Sequence, residues 1–216
     1  RFDQVILPKE RSDALSLTAN TFTSCIIINE GASNFRIKPL PIEAQLAPLN
    51  GMLLTSFDEE GKSALIMAGN DYSTRVDVGP YDAMFGLMME TSDSGDLLPV
   101  PKLRSGIDIP GDARGVVQFF VGDKPVVLAG QNDDELRIFT PTDTETGSTL
   151  WEADSLDQWA ILHFANGTQV KKALTYGSGF LSQTSRKFLV PATVTKLEVK
   201  NSKGEVREVS FENSPS

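Results

Sequence analysis

The loop Ser56-Phe57-Asp58-Glu59-Glu60-Gly61-Lys62-Ser63-Ala64 alternates carboxylates, Asp58 and Glu60, ahead of a glycine. That is the outline of a loop that holds a hard cation through oxygen ligands, with the glycine allowing the tight turn. The first and last positions are Ser56 and Ala64, so the set is eroded. Asp58 and Glu60 are therefore candidate ligands for Ca2+, with carbonyls and water completing the shell. A turn that kept its shape after losing the metal is the competing expectation.

A second cluster suits recognition rather than bond chemistry. Asn70, Asp71, Tyr72, Arg75, Tyr81 and Asp82 mix aromatic, amide, carboxylate and guanidinium groups at a predicted strand end. Such a mixture fits a contact surface for polar ligands or proteins. Catalytic sets are harder to assemble. His163 has no acid within five residues to orient it, as a general base requires. Tyr176-Gly177-Ser178-Gly179-Phe180 lacks glycines at both second neighbours of the serine, so it is not a nucleophile elbow. Asp133, Asp134 and Glu135 read as a solvated turn. Cys25, the lone cysteine, sits in an apolar run and reads as a buried small hydrophobe.

The elements that would position these residues are strands. Cys25–Asn29, Met52–Thr55, Leu65–Ala68, Gly86–Glu90, Val116–Val121, Val126–Ala129 and Leu136–Phe139 are short β-branched or aromatic runs bounded by turn formers. An all-β fold follows, with one short helix expected in Pro8–Asn20, capped by Ser12 or Asp13. The chain also repeats at about sixty residues. Ala64–Asn70 returns as Pro125–Asn132, and more weakly Ile27-Ile28-Asn29 and Pro39-Leu40-Pro41 return as Met88-Met89-Glu90 and Pro99-Val100-Pro101. A fixed period of this kind signals stacked supersecondary units. The expected organisation is a repeat region over 1–140, a linker over 141–157 and a small antiparallel module over 158–216. Within that module Asn166-Gly167 suggests a type I′ hairpin turn.

Charge bounds the partners. Net charge is −9, which disfavours nucleic acid. Residues 158–211 nevertheless carry eight Lys and Arg against three acids, whereas 1–157 carry twelve against twenty-five. A step of that size suggests two modules docking on each other electrostatically, with chance drift between two surfaces as the competing expectation. No apolar run is long enough to span a bilayer, and the chain starts at Arg1, as expected for a processed or truncated piece of a longer polypeptide.

Ile28-Asn29-Glu30-Gly31 with Phe35, Asp58–Gly61 and Leu65–Asn70 resemble the FG-GAP/VCBS repeats that form β-propeller blades. Gly177-Ser178-Gly179-Phe180-Leu181-Ser182-Gln183-Thr184-Ser185-Arg186 is similar to the ASPIC/UnbV domain that often follows them. The second repeat has only Gly122-Asp123-Lys124 where the acidic loop stood. The resemblance implies repeat-built antiparallel sheets, partial propeller blades, in a secreted or cell-envelope protein with a non-enzymatic binding or structural role. Its expected partners are protein or glycan and the rest of a parent chain. Two rivals stand beside it: a carbohydrate-binding module using the Tyr72/Tyr81 loop with Trp151 and Trp159, and part of an enzyme whose site needs missing blades.

Overall fold

A computed structural model describes residues 15, 17–92, 94–141 and 147–211. Most of the helix expected over Pro8–Asn20, including Ser12 and Asp13, lies outside these residues; 15 and 17–20 carry no helix. The fold is all-β, built from small antiparallel sheets. β1 (Cys25–Gly31) and β2 (Asn34–Pro39) form a hairpin, followed by a 3-10 turn at Ile42–Gln45. β3 (Leu49–Phe57), β4 (Ser63–Gly69), β5 (Leu87–Thr91) and β6 (Leu97–Val100) form a four-stranded meander, closed by the one-turn helix α1 (Lys102–Ser105). β7 (Ala113–Val121), β8 (Lys124–Gln131) and β9 (Arg137–Phe139) form a third sheet.

Alternation of side chains gives the meander two apolar faces. Leu53, Ile66 and Ala68 meet Val116, Val127 and Ala129 in a core shared with the third sheet. Met67, Leu87 and Met89 turn the other way, onto Ala44 of the 3-10 turn and Leu40. β3 and β7 cross closely, and a Cβ on Gly51 would lie 2.9 Å from the Val116 nitrogen. Asn50 bridges the crossing by donating to the carbonyls of Asn70 and Ala113.

The C-terminal module has its own core. β10 (Thr149–Glu152) pairs with β13 (Lys187–Val190), while β12 (Gln169–Ala173), β11 (Asp157–Phe164), β14 (Val194–Asn201) and β15 (Val206–Ser210) form a sheet in that order. Ala160, Leu162, Phe188, Val190, Leu197 and Val199 are buried between them. The expected linker is therefore shorter than 141–157. Residues 142–146 lie outside the described residues, and 149–157 are integral to the module, with Trp151 packed on Phe188 at 5.2 Å between ring centroids.

Four of the hairpin turns share one design. At Asp58, Ser92, Phe164 and Asn201 the residue's N–H donates four positions on, and its carbonyl accepts from a glycine three positions on. Those glycines, Gly61, Gly95, Gly167 and Gly204, all have φ between 79° and 87°. This is a type I turn closed by a glycine bulge. Asn166 has no positive φ, so the expected type I′ turn is replaced by this longer one. Cys25 is half-buried rather than buried.

Candidate functional site

The loop after β4 is held from beneath by Asn70, which is fully buried. Its amide donates to the carbonyls of Met84, Pro110 and Gly111 and accepts from the Met84 N–H. A buried amide with its groups satisfied is architecture, so Asn70 supports the site without being a ligand group. Its left-handed φ of 76° turns the chain off the strand, a conformation asparagine tolerates. Sixty-one residues later Gln131 acts in kind, accepting from the Gly111 N–H and donating to the Glu135 carbonyl.

On that base Asp71 and Tyr81 exchange both backbone hydrogen bonds, which brings the two ends of the loop together. The Asp71 carboxylate accepts from the N–H and hydroxyl of Ser73 and, at 3.2 Å, from Arg114. Those hydrogen bonds, from Ser73 first and then Arg114, hold its carboxyl below the usual range against some desolvation. Arg114 donates at 2.7 Å to Asp112, which is fully buried, and at 3.1 Å to Ser73. Asp112 raises the guanidinium's pKa, with Asp71 assisting. Asn132 adds a longer contact to Asp112.

Tyr72 and Tyr81 are about half exposed, and the Tyr72 hydroxyl donates to the Pro110 carbonyl at 3.2 Å. The structure thus gathers Asp71, Tyr72 and Tyr81 of the expected set. Arg75 lies apart, paired with Asp77 in the open, and Asp82 is exposed. Sequence reasoning missed Arg114, the second residue of β7, and Asp112, which immediately precedes the strand. A charged residue opening an otherwise apolar strand was the available signal.

At the acidic loop, Asp58 Oδ1 accepts from the Glu60 and Lys62 N–H groups, and Glu60 pairs with Lys62 at 2.6 Å. Glu59 instead reaches the C-terminal module, its side chain and carbonyl accepting from Thr193. No group of three or more acids, histidines or cysteines is placed to hold a metal among the described residues. His163 is half-buried on the same side of β11 as Trp159 and Ile161, as alternation predicts. Ser178 accepts from the Thr184 N–H as a turn former, and Asp133–Glu135 are exposed.

Three clefts lie elsewhere, and that of about 590 Å³ runs beside the 3-10 turn, lined by Leu46, Met84, Phe85 and Pro101. A second, of about 580 Å³, opens between the β3–β6 and β7–β9 sheets, with Ile66, Met88, Val127 and Phe139 inside and Lys62 and Glu90 among its polar residues. Another, of about 360 Å³, separates β3 from the C-terminal module and is lined by Met52, Leu54, Lys172 and Phe188. Residues 70–82 line none of the three. Among the described residues no helix is long and apolar enough to cross a membrane. No family model, curated protein or solved structure matches the chain.

Proposed function

We propose that this chain is a non-enzymatic binding and structural segment of a larger repeat-built protein of the cell exterior, and that it contacts a protein partner through the loop after β4. The observation that supports the reading most is the rigid polar surface of Asp71, Ser73 and Arg114, flanked by half-exposed Tyr72 and Tyr81. Tyrosine and arginine on a preorganised base are the residue types that dominate protein contacts. The resemblance to FG-GAP/VCBS repeats and an ASPIC/UnbV domain, and the extracytoplasmic location it implies, belong to this same proposal.

A glycan partner is less favoured. Sugar stacking needs an open aromatic face, but Trp151 packs on Phe188, and the ammonium groups of Lys171 and Lys200 stand 4.6 and 5.8 Å from the Trp159 ring centre. The test is a panel of glycosides, esters and peptides offered to the purified chain, together with a glycan array. No turnover and no array signal are expected. Turnover that is lost on Asp133→Ala or His163→Ala would overturn the reading, and an array signal that is lost on Trp159→Ala would move it to carbohydrate binding.

A further inference from the structure

The repeat carries information about what lies against β1. The 3-10 turn Ile42–Gln45 and α1 (Lys102–Ser105) are sixty residues apart, as are Pro39 and Pro99. Pro39 stands opposite Cys25 in the first hairpin, and Pro99 stands opposite Met89 in the meander. Cys25 is therefore the counterpart of Met89, sixty-four residues on, the same spacing that relates β3 to β7. The hairpin β1–β2 is the equivalent of β5–β6, the outer half of a four-stranded sheet.

In the complete sheet β5 pairs along its inner edge with β4, Met89 opposite Leu65. β1 has no such neighbour among the described residues. The Leu40 N–H donates to the Ser24 carbonyl, and antiparallel pairs alternate, so the N–H groups of Cys25 and Ile27 point away from β2. One apolar face is open as well. Ile27, Phe35 and Ile37 share it and are 62%, 64% and 57% exposed. On the meander the corresponding face, with Met89 and Leu97, is covered by Leu40 and Ala44 of the preceding turn. That cover is an interface already present one unit further along. The hairpin itself is anchored, because Gln45 binds both the N–H and carbonyl of Ser24 and Lys38 pairs with Asp96.

We propose that the β1 edge and the Ile27/Phe35/Ile37 face are the docking surface for a preceding unit of the same repeat. Its inner hairpin adds antiparallel to β1, and its turn covers the open face as Leu40 and Ala44 do one unit later. This rests on the reading of the chain as part of a larger repeat-built protein and names its neighbour. Unpaired edges invite strand addition, and the register is set by the β4–β5 pairing.

The test is residue-resolved hydrogen exchange on the full chain and on a chimera in which residues 40–87 directly precede Ser24, the counterpart of Met88. In the full chain the Cys25 and Ile27 amides should exchange at least 100-fold faster than that of Met89. In the chimera they should slow by at least 100-fold. Slow exchange in the full chain overturns the proposal, because the edge is then already covered. Unchanged exchange in the chimera overturns it too, whether or not the added segment is itself protected. Turnover of a substrate, which would sink the non-enzymatic reading, leaves these exchange rates untouched.

Discussion

Asp157→Asn is expected to destabilise the C-terminal module in a pH-dependent way. The Asp157 side chain is fully buried, and Arg207 grips it with Nη1 on Oδ1 at 2.5 Å and Nη2 on Oδ2 at 2.6 Å. The Asp154 N–H adds a third bond to the carboxylate at 2.8 Å. Burial alone would raise its pKa, but the hydrogen bonds from Arg207 and Asp154 outweigh it and the net shift is downward. Breaking a buried pair costs about 3–5 kcal/mol when the remaining charge is stranded. Arg207 is 38% exposed and keeps Asp154 at 2.9 Å, so water and that partner reduce the loss to about 2 kcal/mol. For a unit this small that is roughly 8–16 °C in Tm, if it unfolds on its own.

The sign with pH follows from the lowered pKa. The carboxylate's contribution is complete above the unfolded value of about 3.9. It disappears as pH falls through the lower folded value. Thermal and urea unfolding at pH 7 and in steps down to pH 2 would show the gap between parent and variant closing in acid. Replacing both partners, Asp157→Leu with Arg207→Met, should recover most of the loss. A gap that stays constant with pH, or a loss below about 0.5 kcal/mol at pH 7, within the scatter of surface changes, refutes the reasoning.

Gly69 and Gly130, which end matching sequence segments sixty-one residues apart, should respond very differently to alanine. A Cβ on Gly69 would stand 1.8 Å from the Pro48 carbonyl oxygen, whereas one on Gly130 meets nothing within 4 Å; urea unfolding should show Gly69→Ala losing about 3 kcal/mol or more and Gly130→Ala within about 1. Burial lowers the Lys172 pKa to about 8, so folding should strengthen as pH rises from about 8 to the unfolded value near 10.4. Lys172→Met should raise Tm at pH 7 and flatten that alkaline rise. Calcium at millimolar concentration should leave Tm unchanged relative to chelator, since Asp58 and Glu60 are engaged within their own turn. An upward shift would show a site selective for the folded state.

The strands were legible because β-branched runs between glycines and prolines have few other uses in a chain this short of helical periodicity. Register was less so. The likeness of Ile27-Ile28-Asn29 to Met88-Met89-Glu90 is a likeness of composition, since the hairpins align Cys25 with Met89. A strand's apolar character survives a slip of a few residues, while its pairing does not. The site was legible as a loop of the right residue types, but local sequence cannot show that Asn70 turns inward. Nor can it show that Arg114, forty-three residues beyond Asp71, completes the cluster.

The charge step along the chain shows how a boundary error becomes an energetic one. Drawn from 158, the C-terminal module carries eight basic residues against three acids, a step that electrostatic docking or chance drift between two surfaces would equally produce. Drawn from 149, as its core requires, it gains Glu152, Asp154 and Asp157 and holds eight basic residues against six acids. Those three acids pair with the module's own Lys187 and Arg207, and Lys196 pairs with Glu208. Contact with the preceding sheets includes hydrogen bonds and apolar packing. The Ser185 N–H donates to the Gln118 carbonyl at 2.7 Å, Thr193 binds Glu59, and Phe164 and Val170 lie against Gly61. Short hydrogen bonds to backbone groups over apolar contact, one of them made to the Glu59 carboxylate, are little screened by ions, whereas attraction between exposed charged surfaces is screened beyond a Debye length of about 10 Å at 0.1 M salt. The junction should therefore hold at high ionic strength, which docking by a basic patch would not.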